Sequence, residues 1–211
     1  MTEELLQIYS QRKGEIEKRL EEFRFVSEES DERIFTELAF CLCTPQSKAI
    51  ACWNAVSSLA NKNLLMKGNE EQIKPFLNTV RFGEKKAKYI IGARNFFTKD
   101  SKLQIKEKLK SFKNSQHARE WLVENIKGFG MKEASHFLRN TGIANDLAIL
   151  DVHILKNLHK YGVIEEIPKS MTRKKYLEIE SKMKGFSKSI GISFDELDLL
   201  LWSKETGMVF K

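Results

Sequence analysis

Helical periodicity along nearly the whole chain restricts it to all-α architectures. In the first segment, apolar residues recur three and four positions apart, as at Leu5, Ile8, Ile16, Leu20 and Phe23, which predicts an amphipathic helix. The same spacing predicts further helices near 31–43, 48–59, 71–78, 84–98, 101–111, 115–125, 131–140, 152–161, 172–190 and 194–203. Gly and Pro total 14 residues, and no segment alternates long enough to predict a sheet. The expected fold class is all-α.

The composition predicts a cytoplasmic protein without cofactor or metal. No stretch approaches the roughly 18 apolar residues that a membrane span needs, and the acidic N-terminus is unlike a secretory signal. Cys41, Cys43 and Cys52 are odd in number and lie in helical sequence, so we expect reduced core thiols. Neither their spacing nor that of the four histidines resembles a metal site. We expect a monomer with no membrane partner.

The charge distribution favours a polyanionic partner. The formal net charge is +7, which is weak support by itself. Between Arg81 and Lys113 the sequence has eleven basic side chains against three acidic ones, whereas residues 1–33 have ten acidic and six basic. The basic run fits either a solvated helix surface or a face that follows phosphates, and the sequence leaves both readings open.

A glycine-containing turn separates two of the predicted helices. Gly128-Phe129-Gly130 follows a helix that ends near Asn125 and precedes one that begins near Met131. Two glycines permit a tight hairpin with positive φ. The unpaired N–H groups at the start of the second helix can then hold a phosphate oxygen. The pattern predicts a helix–hairpin–helix that clamps a DNA backbone, and an ordinary corner between two helices is the alternative.

An amine and a carboxylate follow this turn. Lys132 begins the second helix, where the positive end of the helix dipole favours a neutral amine, the form that attack on a sugar C1′ requires. Asp151 comes nineteen positions later, after the apolar run Leu147–Leu150. Its carboxylate could stabilise a cationic sugar and help to activate the amine. The alternatives are a solvated charge for Lys132 and a helix N-cap for Asp151.

Two motifs carry a resemblance to a known family: Gly-Phe-Gly-x-Lys132 and, later in the chain, Ile149-Leu150-Asp151-Val152-His153. They resemble the motifs of the helix–hairpin–helix superfamily of base-excision DNA glycosylases with an associated lyase step. Three further stretches, 37–49, 80–87 and 201–211, look like the compact archaeal-type 8-oxoguanine DNA glycosylase/AP lyase subfamily. The likeness covers essentially the whole chain. It implies two helical lobes with a DNA-binding groove between them. Residues 32–126 would form a helical-barrel-like lobe, and 1–31 with 127–211 the second, with the helix–hairpin–helix at about 116–140.

The resemblance also implies a partner and a mechanism. The partner is double-stranded DNA containing 8-oxoguanine, whose damaged base is flipped into a pocket between the lobes. Lys132 attacks C1′ and forms a Schiff base, Asp151 assists, and β-elimination nicks the strand. Residues that fill the gap or bind DNA would be Gln46, Arg81, Phe82, Gly128 and Gly130. Trp202 would stack on the base, and the terminal carboxylate of Lys211 would meet its Watson–Crick edge.

Two other functions fit parts of the sequence. One is a non-enzymatic helix–hairpin–helix module that binds duplex DNA and leaves the lesion intact, although phosphate binding alone needs neither Lys132 nor Asp151. The other is a glycosylase/lyase that prefers oxidised pyrimidines. Core packing is the plain structural alternative for Phe82 and Trp202.

Overall fold

A computed structural model describes residues 2–211 and shows an all-α chain of twelve helices among them. The first half contains α1 (Thr2–Val26), α2 (Asp31–Cys43), α3 (Ala49–Asn61), α4 (Leu64–Lys67), α5 (Glu70–Ile73) and α6 (Gly83–Phe97). The second half contains α7 (Ile105–Lys110), α8 (Ser115–Asn125), α9 (Met131–Asn140), α10 (Val152–Lys160), α11 (Arg173–Ile190) and α12 (Phe194–Thr206). The expected fold class is confirmed.

Short polar side chains start several of these helices. Ser30, Asn114 and Thr172 each accept a hydrogen bond from the backbone N–H three residues later, at 3.3, 2.9 and 3.2 Å. Each bond satisfies one of the donors that a helix start leaves unpaired. At the other end, Gly207 adopts a left-handed φ of 82° and ends α12 three residues beyond the predicted end.

The structure departs from the predicted elements in four places. The predicted helix 101–111 begins only at Ile105, because Asp100 and Ser101 have positive φ and turn the chain. That turn joins β1 (Thr98–Lys99) to β2 (Lys102–Leu103), a two-residue antiparallel pair that no alternating pattern predicted. The predicted helix 71–78 is divided between α5 and a 3₁₀ turn at Lys74–Leu77, where proline has no N–H to donate. The short helix α4 was not predicted.

The buried apolar residues form two cores. The first comprises residues between Val26 and Leu147. The second combines residues 5–23 of α1 with residues between Ala148 and Leu201. The hairpin residues Ile126 and Phe129 pack into the first core, and the lobe boundaries given above stay a prediction. The segment between α9 and α10 passes from one core to the other, and it carries Asp151.

Candidate active site and nucleic-acid interface

The turn between α8 and α9 needs glycine at one of its two glycine positions. Gly128 has a φ of 100°, and a Cβ added there would lie 2.5 Å from Cδ2 of Tyr89. The predicted turn with positive φ is therefore formed at Gly128, whereas Gly130 has a φ of −111° and extended backbone. There a Cβ would lie 3.0 Å from Oε2 of Glu133, the end of a flexible side chain.

Glu133 contacts both the turn and the candidate nucleophile. Its Oε2 accepts a hydrogen bond of 3.1 Å from the Gly130 N–H, and its Oε1 lies 2.9 Å from Lys132 Nζ. One of the N–H groups expected to hold phosphate is therefore occupied by this carboxylate. The sequence interpretation missed both contacts. The signal that could have found them is the glutamate three residues after the turn, which is typical of a capped helix start.

Asp151 is the N-cap of α10, as its structural alternative proposed. Its Oδ1 accepts hydrogen bonds from the backbone N–H of His153 and Ile154, at 2.8 and 2.9 Å. Both bonds go to one oxygen, and within residues 2–211 Oδ2 accepts none. Capping therefore leaves half of the carboxylate available for another task.

Helix α11 holds the segment that leads to Asp151. Glu180 accepts a bond of 2.7 Å from Ala148 N while Arg119 binds it with both terminal nitrogens, at 2.6 and 3.1 Å. Tyr176 donates its hydroxyl to Ala148 O at 2.5 Å and accepts from Leu150 N at 3.3 Å. All of these groups are buried. These bonds attach both ends of the Ala148–Leu150 segment to α11, so the position of Asp151 is set from outside its own helix.

A cavity of about 1050 Å³ brings most of the candidate residues together. Of the sequence-predicted set, its lining includes Gln46, Lys132, Asp151, Trp202 and Lys211. Arg81, Phe82, Gly128 and Gly130 do not line it. The volume is at the upper end of the range usual for pockets that enclose a small molecule. The cavity is thus large enough for a nucleobase with its sugar.

The C-terminal tail is anchored in this region by a buried ion pair. Lys211 is 7% exposed, and its Nζ donates to Oε1 of Glu37, a fully buried side chain of α2. Glu37 also forms a salt bridge with Arg33, at 2.8 Å, and accepts a hydrogen bond from Asn140 at 3.0 Å. The Lys211 ammonium lies 3.7 Å from the ring centroid of Trp53. Burial lowers the pKa of Lys211, while Glu37 acts in the opposite direction.

Aromatic contacts also dock the tail against the rest of the protein. Phe210 lies 6.4 Å from Trp202 and 6.5 Å from Phe40, measured between ring centroids. Trp202 is partly buried and packs against the second core while also lining the cavity. Glu37 was within a stretch that the sequence analysis singled out, but nothing in its spacing pointed to the last residue of the chain.

Buried polar groups of the cavity wall lack partners. Among the described residues, His136 Nε2, Arg139 Nε and Asp198 Oδ1 make no hydrogen bond. Burial raises the pKa of Asp198 to about 7, although Arg139, at 3.5 Å, opposes the rise. Burial, together with the cations Arg139, Lys132 and Lys211, holds the pKa of His136 well below its usual range. An unpaired buried polar group is costly, so these residues suit a ligand with complementary donors and acceptors.

Two loops next to the cavity carry the remaining candidates. Gln46 and Phe82 are both exposed and both have positive φ, 57° and 58°. Phe82 is 54% exposed, so core packing does not explain it. Arg81 lies over the Phe82 ring at 5.0 Å and donates its backbone N–H to Ser47 Oγ at 3.0 Å. This bond brings the Arg81–Phe82 turn against the Gln46 loop.

The basic run does not form one uniform surface. Lys86, Arg94 and Lys106 donate to backbone carbonyls within the protein. Lys85, Lys99, Lys102 and Lys110 are exposed. Part of the run therefore stabilises the fold, and the exposed part keeps both of its sequence-based interpretations. Between residues 2 and 211, no cluster of three or more His, Cys, Asp or Glu side chains is placed to hold a metal ion. In the same part of the chain, no helix has the length and apolar character of a membrane span.

Comparison with known proteins gives one consistent result. A family model described as 8-oxoguanine DNA glycosylase matches residues 16–192. A protein named 8-oxoguanine DNA glycosylase/AP lyase from Fusobacterium nucleatum is 44% identical over 209 residues, covering 99% of this chain and 96% of that protein. Its counterpart from Methanocaldococcus jannaschii is 41% identical over 202 residues, covering 96% of this chain and 94% of that protein.

Solved structures agree with these relatives. The crystal structure of the Methanocaldococcus jannaschii 8-oxoguanine glycosylase/lyase in complex with 15mer DNA containing 8-oxoguanine has a TM-score of 0.88 and 38% identity, covering 98% of this chain and 99% of that one. The 8-oxoguanine DNA glycosylase of Thermotoga maritima has a TM-score of 0.85 and 36% identity, covering 99% of this chain and 97% of that one. The likeness therefore extends over the whole fold.

Proposed function

The chain belongs to the 8-oxoguanine DNA glycosylase family, and we propose that it removes 8-oxoguanine from duplex DNA and then nicks the strand. The observation that carries this proposal is the shared cavity of Lys132 and Asp151, which also reaches Trp202 and Lys211. A non-enzymatic DNA-binding module would need no such cavity beside its hairpin.

Lys132 is the proposed nucleophile. Its ammonium leaves the ion pair with Glu133, loses a proton, and Nζ attacks C1′ of the damaged nucleotide. The electron pair of the glycosidic bond departs with the base, which is then protonated. The nitrogen then loses a proton, and its electron pair expels the ring oxygen from C1′, so that the C1′–O4′ bond breaks, O4′ takes up a proton and Nζ and C1′ form a Schiff base. Loss of a proton from C2′ then breaks the C3′–O bond and nicks the strand on the 3′ side.

Asp151 is the proposed stabiliser of the sugar. As the C1′–N bond breaks, positive charge develops on the sugar ring, and a fixed carboxylate beside the ring lowers the energy of that state. The N-cap bonds to Oδ1 hold the group in place. The free Oδ2 is then the oxygen directed to the reaction.

The remaining candidates would serve recognition. We propose that Trp202 stacks on the flipped base, that the terminal carboxylate of Lys211 meets its Watson–Crick edge, and that Gln46, Arg81 and Phe82 occupy the space it leaves. The backbone at Gly128 and Gly130 would follow the phosphates. We also propose that the protein acts as a monomer, with lobes at 32–126 and at 1–31 with 127–211.

Borohydride trapping tests the proposal. Reduction of the Schiff base links protein and oligonucleotide covalently, so wild-type protein should give an adduct with a duplex that contains 8-oxoguanine and none with undamaged duplex. Lys132→Gln should give neither adduct nor nick while it keeps its helical circular dichroism and still binds the duplex.

Lys127→Gln is the matched control. Lys127 is an exposed lysine of the same turn, five residues earlier, and its variant should still form the adduct. Equal trapping by the Lys132→Gln variant and by wild-type protein would refute the assignment of Lys132 as the nucleophile. Faster single-turnover cleavage of thymine glycol duplex than of 8-oxoguanine duplex would instead support an enzyme for oxidised pyrimidines.

A further inference from the structure

One buried lysine connects the two loops that carry the proposed wedge residues. Lys86 of α6 is 4% exposed. Its Nζ donates to Cys43 O at 2.6 Å, to Pro45 O at 2.8 Å and to Ser47 Oγ at 3.2 Å. These three oxygens lie on both sides of Gln46, so the ammonium is enclosed by that loop.

The same lysine is attached to the second loop through its own backbone. Lys86 N donates to Phe82 O at 3.0 Å, in the first turn of α6. Ser47 Oγ, which accepts from Lys86 Nζ, also accepts from Arg81 N at 3.0 Å. Two loops that are more than thirty residues apart in sequence are therefore joined at a single ammonium group.

Burial of the Lys86 ammonium without a carboxylate partner lowers the stability of the folded state. Within residues 2–211, Lys86 forms no salt bridge, and the three oxygens that accept hydrogen bonds from its Nζ are all neutral. Desolvation of an ammonium in such a site is expensive, and burial lowers its pKa. An apolar side chain of similar length would avoid this penalty. The lysine at this place therefore indicates a need for its three directed bonds.

The loops also hold backbone conformations that need support. Gln46 and Phe82 are both non-glycine residues in the left-handed region, which is unfavourable for each of them. Strained residues persist where surrounding contacts determine the conformation, and they cluster at functional sites. Here the surrounding contacts are those of Lys86 and Ser47.

We infer that Lys86 is a positioning residue that locks the Gln46 loop and the Phe82 turn into one rigid wedge. The inference rests on the proposed function, because it assumes that this edge of the protein enters duplex DNA. With the lock in place, Gln46 and Phe82 enter the stack together and hold the damaged nucleotide outside it. Without the lock, each loop relaxes separately and the base returns to the helix more often.

The Lys86→Met variant tests this inference, because methionine keeps much of the apolar stem and lacks the ammonium. Base extrusion is needed for a paired lesion and not for an abasic site in single-stranded DNA. Single-turnover excision of 8-oxoguanine from duplex should fall by about tenfold or more, as expected when charge-assisted hydrogen bonds are lost. Trapping on a single-stranded abasic site should stay within about twofold, because Lys132 and Asp151 are untouched.

Arg94→Met is the matched control. Arg94 is another partly buried cation of α6, and it donates to Leu65 O at 3.2 Å and Gly68 O at 2.9 Å, away from both wedge loops. Its variant should lose stability and keep the wild-type ratio of duplex to single-strand activity. An unchanged ratio in Lys86→Met, or an equal loss in Arg94→Met, would overturn the inference.

A second readout separates this inference from the proposed function. In 2-aminopurine placed beside an 8-oxoguanine pair, fluorescence rises as the stack opens, so Lys86→Met should show a smaller rise than wild type at saturating protein. If the wild-type protein opens the stack but excises no base, the proposed glycosylase function is contradicted, while the inferred role of Lys86 is not. If Lys86→Met fails to fold, Ser47→Ala replaces it as the test, because Ser47 Oγ accepts from both Arg81 N and Lys86 Nζ. This variant must show the same change in the ratio of duplex to single-strand activity.

Discussion

The lysine–aspartate pair (Lys132 and Asp151) lines the same cavity as Trp202 and Lys211 of the tail site (Trp202 to Lys211 with Glu37), but the two regions are held in different ways. Asp151 caps the helix that follows it, and Lys132 stands in the first turn of α9 beside Glu133. Lys211 instead depends on Glu37, which is 174 positions earlier in the chain. The direct contacts of the pair are with neighbours in sequence, although α11 holds the segment before Asp151. The charge contact of the tail is entirely tertiary.

This difference predicts different responses to mutation. A change in the lysine–aspartate pair should lower every chemical step and affect stability little, because backbone and caps hold the site. A change in the tail site should alter which base is accepted and leave the chemistry on an abasic site intact. If variants of the two regions changed the chemistry and the base preference to the same extent, this distinction between the regions would be wrong.

The largest effect should come from Asp151→Asn. Removal of one electrostatic stabiliser of a transition state typically costs about 10²–10³ in rate, so both excision and abasic-site nicking should fall by that order. Asn caps a helix about as well as Asp, so the urea midpoint should hardly change. Asp151→Ala also loses the cap and should unfold about 1 kcal/mol more easily. Equal stability of the two variants would argue against the cap.

Deletion of Lys211 should have the next largest effect. It removes a partner of Glu37 and shifts the terminal carboxylate, so single-turnover excision of 8-oxoguanine should fall by about tenfold or more. Nicking of a preformed abasic site should stay within about twofold of wild type. Lys211→Met, which keeps a terminal carboxylate at the same position, separates the ammonium from the carboxylate. Unchanged excision after the deletion would show that Lys211 does not take part in base recognition.

Glu37→Gln probes the other end of this ion pair. Glu37 is fully buried and faces Lys211 and Arg33, so neutralising it leaves two cations with less compensation. Loss of one partner of a buried pair typically costs about 3–5 kcal/mol, and the retained amide should hold the effect to the lower part of that range. Urea unfolding measures the loss. A neutral effect would show that the contact with Trp53 is sufficient for the tail.

The pH dependence of stability should reveal Asp198. Its pKa rises from an ordinary 3.8 to about 7 on folding, so the folded state keeps this proton longer than the unfolded chain. Stability from this group is therefore present in full below pH 4 and is lost as the pH rises towards 7. The Asp198→Asn side chain cannot ionise, so the unfolding free energy of the variant should rise relative to that of wild type between about pH 4 and pH 7. A constant difference would contradict the shift.

The smallest effect should come from Gly130→Ala. Its backbone is extended and the added Cβ would meet only the end of the Glu133 side chain, so stability should change by about 0.5 kcal/mol or less. Gly128→Ala should lose more, about 1 kcal/mol or above, because φ is positive and the Tyr89 ring is in the way. Urea midpoints of the two variants compare them directly, and equal losses would contradict the different roles of these glycines.

Much of the fold was predictable because helix formation depends on residues a few positions apart. The spacing of apolar residues, and caps such as Asp151, are visible in the sequence, so most helices were located to within a few residues. The errors lie where a turn determines where a helix begins, as at Asp100 and Ser101. Both residues have positive φ, and nothing in the sequence indicated it because neither is glycine. The basic run was also ambiguous, since nothing in sequence distinguishes the buried Lys86 from the exposed Lys85.

The sequence by itself determined the helices, the Gly-Phe-Gly turn and the order of Lys132 and Asp151, because each depends on local periodicity, capping or backbone freedom. Only the tertiary structure decided that Lys211 returns to Glu37, that Lys86 joins two distant loops, and that one cavity includes both the amine and the tail. Those contacts unite residues tens to hundreds of positions apart. Their energies come from hydrogen bonds and ion pairs that offset the cost of removing charges from water, and those pairings exist only once the helices have packed.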